Sequence, residues 1–372
     1  MTAALHLGLT AVILAVAEAT PRVVTVRSGF EIPPGFGAGD APPPHRDALP
    51  GAPFEPGRFR TLQDGVRAVA AGVSGVSLRY VEQLYTFGDR FRDPHEAFGG
   101  PRAVTVGYLA LVRAEAASGP AAQWRDLYDF FPWEDWREAR PAVLDTVILP
   151  ALRRWAAGPA SAAEGERRNE RIDLAFAAGS SGPGNSGPGS SGPGGGGMDA
   201  GDKDAGPIPA GLVLERYELL YEAGLVVESY RDRDLLRRAG LETGALAPDM
   251  PRALGRPMAR DGRRILACAL DRLRGTLKIR PLVFELLPPV FTLHQLQQVV
   301  ESLAGARLHK QNFRRLVLTG GLVEATGIME TQTGGRPAGL FRYRRHAIHQ
   351  RTSTGALPEP EPDHEASDPC MS

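Results

Sequence analysis

Between Gly179 and Gly197, 18 of 19 residues are Gly, Ser or Pro. Such a run cannot bury enough apolar surface to offset the entropy of ordering it, so no core element passes through it. The 372-residue chain is therefore divided into two stretches, each of which must supply its own core. Hydrophobic residues make up 42% of the chain, which is enough for both.

The first stretch opens on Leu7–Ala17, an apolar run with no Lys or Arg before it. It is too short to span a bilayer, and it leads directly into a β-branched run, Pro21–Arg27. Broken at Glu18–Pro21, the two runs read as a β-hairpin rather than a signal peptide. Residues 28–57, rich in Gly and Pro, predict one long loop. An Ala/Val-rich pattern predicts a helix over 61–73, and YVEQLYTF (80–87) and AVTVGYLALV (103–112) predict strands joined by a polar loop. A further helix is expected over 142–156. Together these give a mixed α/β domain over residues 1–157.

Residues 158–211 are then expected to be a flexible linker, and 212–259 a connecting helix (212–228) and loop. Residues 260–351 form a second domain that begins with a helix over 263–274, and 352–372 an acidic, Pro-rich, disordered tail. No segment is long and apolar enough for a membrane. The only cysteines, Cys268 and Cys370, exclude a disulfide scaffold and any multi-cysteine zinc site and fit a reducing compartment.

The chain carries 43 basic and 43 acidic residues, but they are segregated: residues 260–351 hold 16 Lys+Arg against 6 Asp+Glu. The bland reading is a solvated basic face; the sharper one is a phosphate-binding surface. The pattern within the segment favours the second. Thr292 caps a predicted helix with apolar residues Leu293, Leu296, Val299, Val300 and Leu303, ended by Gly305. A short turn leads to a second helix with Leu308, Phe313, Leu316 and Val317 as its buried stripe and Gly320-Gly321 as its stop. Two strands (322–324 and 340–343) around TGGRP then form a wing. This is the winged helix-turn-helix pattern. His309, Lys310, Gln311, Asn312, Arg314, Arg315 and, at the wing tip, Arg336 are the candidate DNA-binding residues.

The strings YVEQLYTFGDRFRDP, RAVTVGYLALV, HKQNFRR and GGRPAGLFRYRR resemble Nudix-related regulators of NAD metabolism of the NrtR type. They are most similar to the group called NadQ, or "NAD regulator in Alphaproteobacteria". The resemblance implies an α+β protein: an N-terminal Nudix-like α/β/α sandwich followed by a C-terminal winged helix-turn-helix domain. A working Nudix hydrolase needs several glutamates on one helix to hold Mg²⁺ or Mn²⁺. From Gly65 to Val81 this chain has no Asp or Glu. The expectation is an inactive hydrolase fold with no metal and no required cofactor, sensing a nucleotide effector such as NAD, ADP-ribose or ATP.

Candidate effector contacts are Tyr85, Asp89, Arg92, Arg102 and Trp133. Core packing is the stronger reading for Tyr85 and its neighbour Phe87, a loop-bracing ion network of Asp89, Arg92 and Asp93 the stronger one for the charged residues, and anchoring of a dimer or domain interface the alternative for Trp133 within WEDW (133–136). Implied partners are a palindromic double-stranded DNA operator and a second copy of the chain, in a cytoplasmic, nucleoid-associated setting. Two alternatives stay open: a nucleotide pyrophosphatase with residual activity, using a remote carboxylate pair such as Glu134 and Asp135, and a winged helix that binds a protein partner.

Overall fold

The computed structural model describes residues 5–28, 46–91, 93–113, 122–158, 161–176, 211–241, 254–276, 282–330 and 337–344. They fall in two units, residues 1–288 with 294–309, and residues 289–293 with 310–372.

In the first unit, β1 (Leu5–Ala17) and β2 (Thr20–Ser28) pair antiparallel, with Ala17 opposite Thr20. Glu18 and Ala19 take φ of 50° and 58°, as a two-residue turn matched to strand twist requires. Within the expected loop lie two short strands, β3 (Arg46–Ala48) and β4 (Gly51–Pro53), which pair with β2 and β1. Three residues are too few to leave a period-two signal. Helix α1 (Leu62–Ser74) starts where the Thr61 side chain accepts from the Asp64 amide at 3.0 Å, and ends at Gly75, φ 72°.

Strand β5 (Tyr80–Phe87), the short helix α2 (Pro94–Ala97), β6 (Arg102–Leu111) and β7 (Ala122–Asp126) follow. β6 runs parallel to β1 from Leu5/Arg102 to Leu14/Leu111. The seven-stranded sheet has the order β3-β2-β1-β6-β5, with β4 on β1 and β7 on β2. Both faces of its centre are buried: Leu9, Ala11 and Ile13 on one side, Val12, Leu14 and Leu109 on the other. Layers on both faces are what such continuous apolar strands demand.

One layer is α1, through Val66 and Ala70. The second is not taken from residues 1–157. A π-turn at Leu144–Ile148 is followed by α3 (Leu149–Ala157), α4 (Ala162–Phe176), α5 (Val213–Glu222), α6 (Val227–Arg238) and α7 (Gly262–Thr276). Helix α7 covers the other face: a Cβ on Gly107 of β6 would meet Ile265 of α7 at 3.3 Å. The α/β/α sandwich holds, but two expected boundaries move. The front domain does not end at 157, and α7 is part of it rather than of a winged-helix domain starting at 260.

Helix α4 also falls inside the stretch expected to be linker. Arg171 fixes it to α5 through Glu215 (2.9 Å) and Glu222 (2.8 Å). Gly179–Gly197 and the tail 352–372 lie outside the described residues. The single helix expected over 212–228 breaks at Gly224, φ 72°, into α5 and α6. Helix α8 (Leu293–Ala304) buries Leu293, Leu296, Val299 and Leu303, and from His294 onward it belongs to the first unit.

The second unit contains β8 (Phe291–Thr292), α9 (Lys310–Thr319), β9 (Val323–Glu330) and β10 (Ala338–Tyr343), with the sheet order β8-β10-β9. Among the described residues no helix is long and apolar enough to cross a membrane.

Candidate ligand pocket and nucleic-acid interface

The first unit holds a cleft of about 660 Å³ at one end of the sheet. It is walled by Leu9 of β1, Val26 of β2, Val73 of α1, Phe87 of β5, Val104 of β6 and Ile265 of α7. A concave, largely apolar site with a few polar groups suits a small organic ligand.

Of the five expected effector contacts, Asp89 lines this cleft and ion-pairs with Arg264 of α7 at 2.5 Å. Arg92 lies outside the described residues. Arg102 sits outside the wall and braces a loop, donating to the Gly88 carbonyl at 2.5 Å and lying 4.0 Å from Glu96. Glu96, which the sequence did not single out, also accepts from the amides of Phe91 (3.0 Å) and Ala103 (2.8 Å) and so braces this loop together with Arg102. Tyr85 is 61% exposed, edge-on to Phe87 and off the cleft; its neighbour Phe87 is the wall residue. Trp133 is a correction: at 1% exposure it is core, stacked edge-to-face with Phe131. A residue this enclosed has no face left for a ligand.

Glu134 is equally buried and is held by two arginines. Arg216 of α5 donates to it at 2.5 and 2.9 Å, and Arg274 of α7 at 2.5 Å. Burial alone would raise its pKa, but the two guanidinium groups outweigh burial and hold it below the usual carboxylate range. A carboxylate so enclosed is not available to a metal. Among the described residues, no three His, Cys, Asp or Glu side chains converge as a metal site.

The same cluster reaches α8. Arg274 donates from Nε to the Leu303 carbonyl (3.1 Å) and from Nη2 to the Tyr128 hydroxyl (3.3 Å), which itself donates to the Ser302 carbonyl (2.7 Å). Burial pushes the Tyr128 hydroxyl up to about 12, so it stays protonated as a donor. Helix α7 thus carries Arg264, paired with the cleft residue Asp89, in its first turn, and Arg274, bonded to α8, in its last. Ten residues of helix separate them by about 15 Å.

A second cleft, of about 630 Å³, lies between the β1–β2 turn, residues 126–141 and α8. Its arginines are committed: Arg137 to Asp135 at 2.8 Å, Arg140 to Asp145 at 2.8 Å and Arg307 to Glu301 at 3.3 Å. With Glu18, Asp126, Asp129 and Glu138 also on its walls, it is poorly suited to an anion.

In the second unit Lys310, Gln311, Asn312, Arg314 and Arg315 of α9 are all exposed; His309, the last residue of the first unit, is exposed as well. Arg315 Nη2 donates to Asn312 Oδ1 at 3.0 Å. Val317 is buried and Phe313 half-buried, but Leu316, expected in the stripe, is 61% exposed. At 100° per residue it falls on the edge of a stripe narrowed to Phe313 and Val317. Arg336 lies outside the described residues. The wing adds two cations that its sequence pattern did not single out, Arg342 and Arg344, both paired with Glu324.

Winged helices with an exposed basic second helix form a class of nucleic-acid-binding modules. Residues 283–343 match the model of the NrtR DNA-binding winged helix domain, so this module is an NrtR-type winged helix. The chain is also 36% identical over 94 residues to the ADPR responsive transcriptional repressor NtrR of Acinetobacter baylyi, a match covering 25% of this chain and 37% of that one. The chain is thus matched to little more than a third of that relative's length. Among solved structures it is similar to Shewanella oneidensis NrtR complexed with a 27mer DNA (18% identity, 92% of this chain and 95% of that one, TM-score 0.47). It is also similar to the NUDIX domain of that protein complexed with ADP ribose (24% identity, 41% and 88% covered, TM-score 0.29).

Proposed function

We propose that this chain is a DNA-binding transcriptional regulator, a repressor of genes for NAD synthesis or salvage, whose front domain senses a nucleotide. The observation that carries this reading is the NrtR-type winged helix with its cationic α9 face open to solvent. ADP-ribose is the first candidate effector, because one relative is named for its response to it; NAD and ATP remain in the panel. The apolar cleft is the receptor, and the protein works beside DNA in the cytoplasm.

No hydrolysis is expected. Helix α1 has one carboxylate, Asp64, in its first turn, and none follows until Glu82. Glu134, the remote substitute, is locked between Arg216 and Arg274. Without a set of oxygen ligands on one face there is nothing to hold Mg²⁺ and activate water.

Regulation is linkage: a ligand bound better by one arrangement of the DNA-reading helices shifts the population toward it. The route is α7, from Asp89–Arg264 at the cleft to Arg274 and α8, whose chain continues into α9. Binding as a homodimer to a palindromic operator follows from two-fold symmetry. Exposed Leu316, Leu318, Ile328 and Met329 suit contact with a second copy.

A mobility shift on DNA upstream of this chain's own gene and of NAD-synthesis genes, repeated across salt concentrations, tests the reading. A log–log slope of about −0.9 per phosphate contacted is expected. A partner bound with no salt dependence would point to a protein ligand instead. Incubation with ADP-ribose and Mg²⁺ or Mn²⁺ should leave the nucleotide intact, and turnover above a metal-free control would restore the pyrophosphatase reading.

A further inference from the structure

Between Lys310 and Arg344 the sequence has six Lys or Arg and two Glu. Lys310, Arg314 and Arg315 of α9 are exposed, and among the described residues no carboxylate pairs with them. The wing is different. Arg342 of β10 stands opposite Glu324 of β9 in the ladder. The Arg344 amide donates to the Leu322 carbonyl at 3.0 Å, which carries the pairing one step past Tyr343. Alternate residues of a strand share a face, so Arg342 and Arg344 both come to the same carboxylate. Arg342 Nε donates to Glu324 Oε1, and Arg344 Nε lies 3.6 Å from Oε2. The hydrogen bond from Arg342 holds the Glu324 carboxyl below the usual carboxylate range, so it stays ionised at neutral pH.

Both arginines are more than half exposed, at 63% and 54%, whereas Glu324 is 31% exposed. An ion pair this open to water contributes little to stability, so its arginines can be exchanged to another anion. Guanidinium groups take phosphate oxygens in the same forked geometry as carboxylate oxygens.

We propose that Glu324 is a specificity-determining residue: it occupies Arg342 and Arg344, so that a DNA phosphate wins them only where the backbone is held in register with the wing. On random sequence the contacts are to phosphates, and their number sets the affinity. A carboxylate that competes for two arginines removes part of this sequence-independent attraction, and its own charge repels the backbone. On the operator, base contacts fix the register and offset the exchange. The proposal rests on the DNA-binding reading and adds to it a source of discrimination.

Fluorescence anisotropy on the full chain tests this, with DNA upstream of its own gene and a random duplex of equal length, each across salt concentrations. Glu324→Gln should tighten binding to random DNA by about threefold to fivefold, the range of an exposed ion pair. It should steepen the salt slope by about one. The upstream DNA should gain less, so discrimination falls. Glu330→Gln removes the same charge from the same strand, but Glu330 stands opposite Ala338 rather than an arginine, and its effect should be smaller. Replacing Arg342 and Arg344 together by alanine should cost little random-DNA affinity in the wild type and should abolish the gain of Glu324→Gln. Circular dichroism should be the same for all these exposed substitutions. If Glu324→Gln changes random-DNA binding no more than Glu330→Gln does, the competition is overturned and the DNA-binding reading stands. The same holds if losing both arginines costs as much with Glu324 present as without it. If the wild type binds neither duplex, both fall.

Discussion

Gly305, at φ +69°, sits so close to the Glu134 backbone that a Cβ on it would lie 2.3 Å from the Glu134 carbonyl oxygen. Its own carbonyl accepts from the Trp136 amide at 2.7 Å. The end of α8 is thus fitted against the segment carrying the buried carboxylate. Gly305→Ala is expected to be far more damaging than Gly321→Ala. Gly321 has a similar φ of +65° but nothing within 4 Å, so alanine there meets only the left-handed backbone penalty of about 1–2 kcal/mol. At Gly305 a backbone clash with Glu134 is added. Thermal unfolding of the two variants gives the comparison, and equal losses would count against a tight fit at this joint.

Glu134→Gln is expected to cost about 3–5 kcal/mol, because it leaves Arg216 and Arg274 buried without their counter-charge. The sign with pH follows from the lowered pKa of Glu134 in the folded protein. In the unfolded chain the carboxyl takes up a proton at higher pH than in the folded one. Its stabilisation is therefore complete above the ordinary Glu range, near about 4.3, and is lost as pH falls through the depressed folded value. Wild type should lose stability on acidification more steeply than Glu134→Gln. Parallel dependence of melting on pH in both proteins, from about pH 5 down through the depressed folded value of Glu134, would show that the carboxylate is not the source.

Deletion of Gly179–Gly197 should leave the nucleotide response of DNA binding intact. A Gly/Ser/Pro tether transmits little strain, whereas α7 connects the cleft to α8 through Arg264 and Arg274. Shift assays with and without ADP-ribose decide this; a response lost on deletion would return the signal path to the linker.

On α9, Arg314→Ala and Arg315→Ala should weaken DNA binding, and a lost phosphate contact should lower the salt slope by about one. Because Arg315 is held by Asn312 at 3.0 Å, Asn312→Ala should reduce discrimination between operator and random DNA more than it reduces binding to random DNA. If neither arginine substitution changes binding, the DNA-reading surface lies elsewhere.

Much of this was legible in the sequence. The β1–β2 hairpin followed from two apolar runs and a break, α1 from its Ala/Val-rich pattern, and the α8–α9–wing order from apolar spacing with glycine stops. What escaped has a common cause. Arg216, Arg263 and Arg274 carry no local sign of burial, yet all are buried, with Arg263 paired to Glu228 at 3.0 Å and Arg274 to Glu134. Their partners come from distant elements that no local period reveals. The same distance in sequence hides the place of α7 in the front unit and the burial of Trp133. Helix α4 was masked by its neighbourhood: a charged 15-residue helix directly before the Gly/Ser/Pro run has little apolar signal of its own.

The most direct measurement is the affinity of the full chain for DNA upstream of its own gene, taken by fluorescence anisotropy with and without saturating ADP-ribose and with the nucleotide recovered afterwards. The account predicts a change in affinity of about fivefold or more, the usual size of a coupling between sites, with the ADP-ribose returned unaltered. DNA affinity indifferent to every nucleotide in the panel, or ADP-ribose recovered as cleavage products, would contradict it.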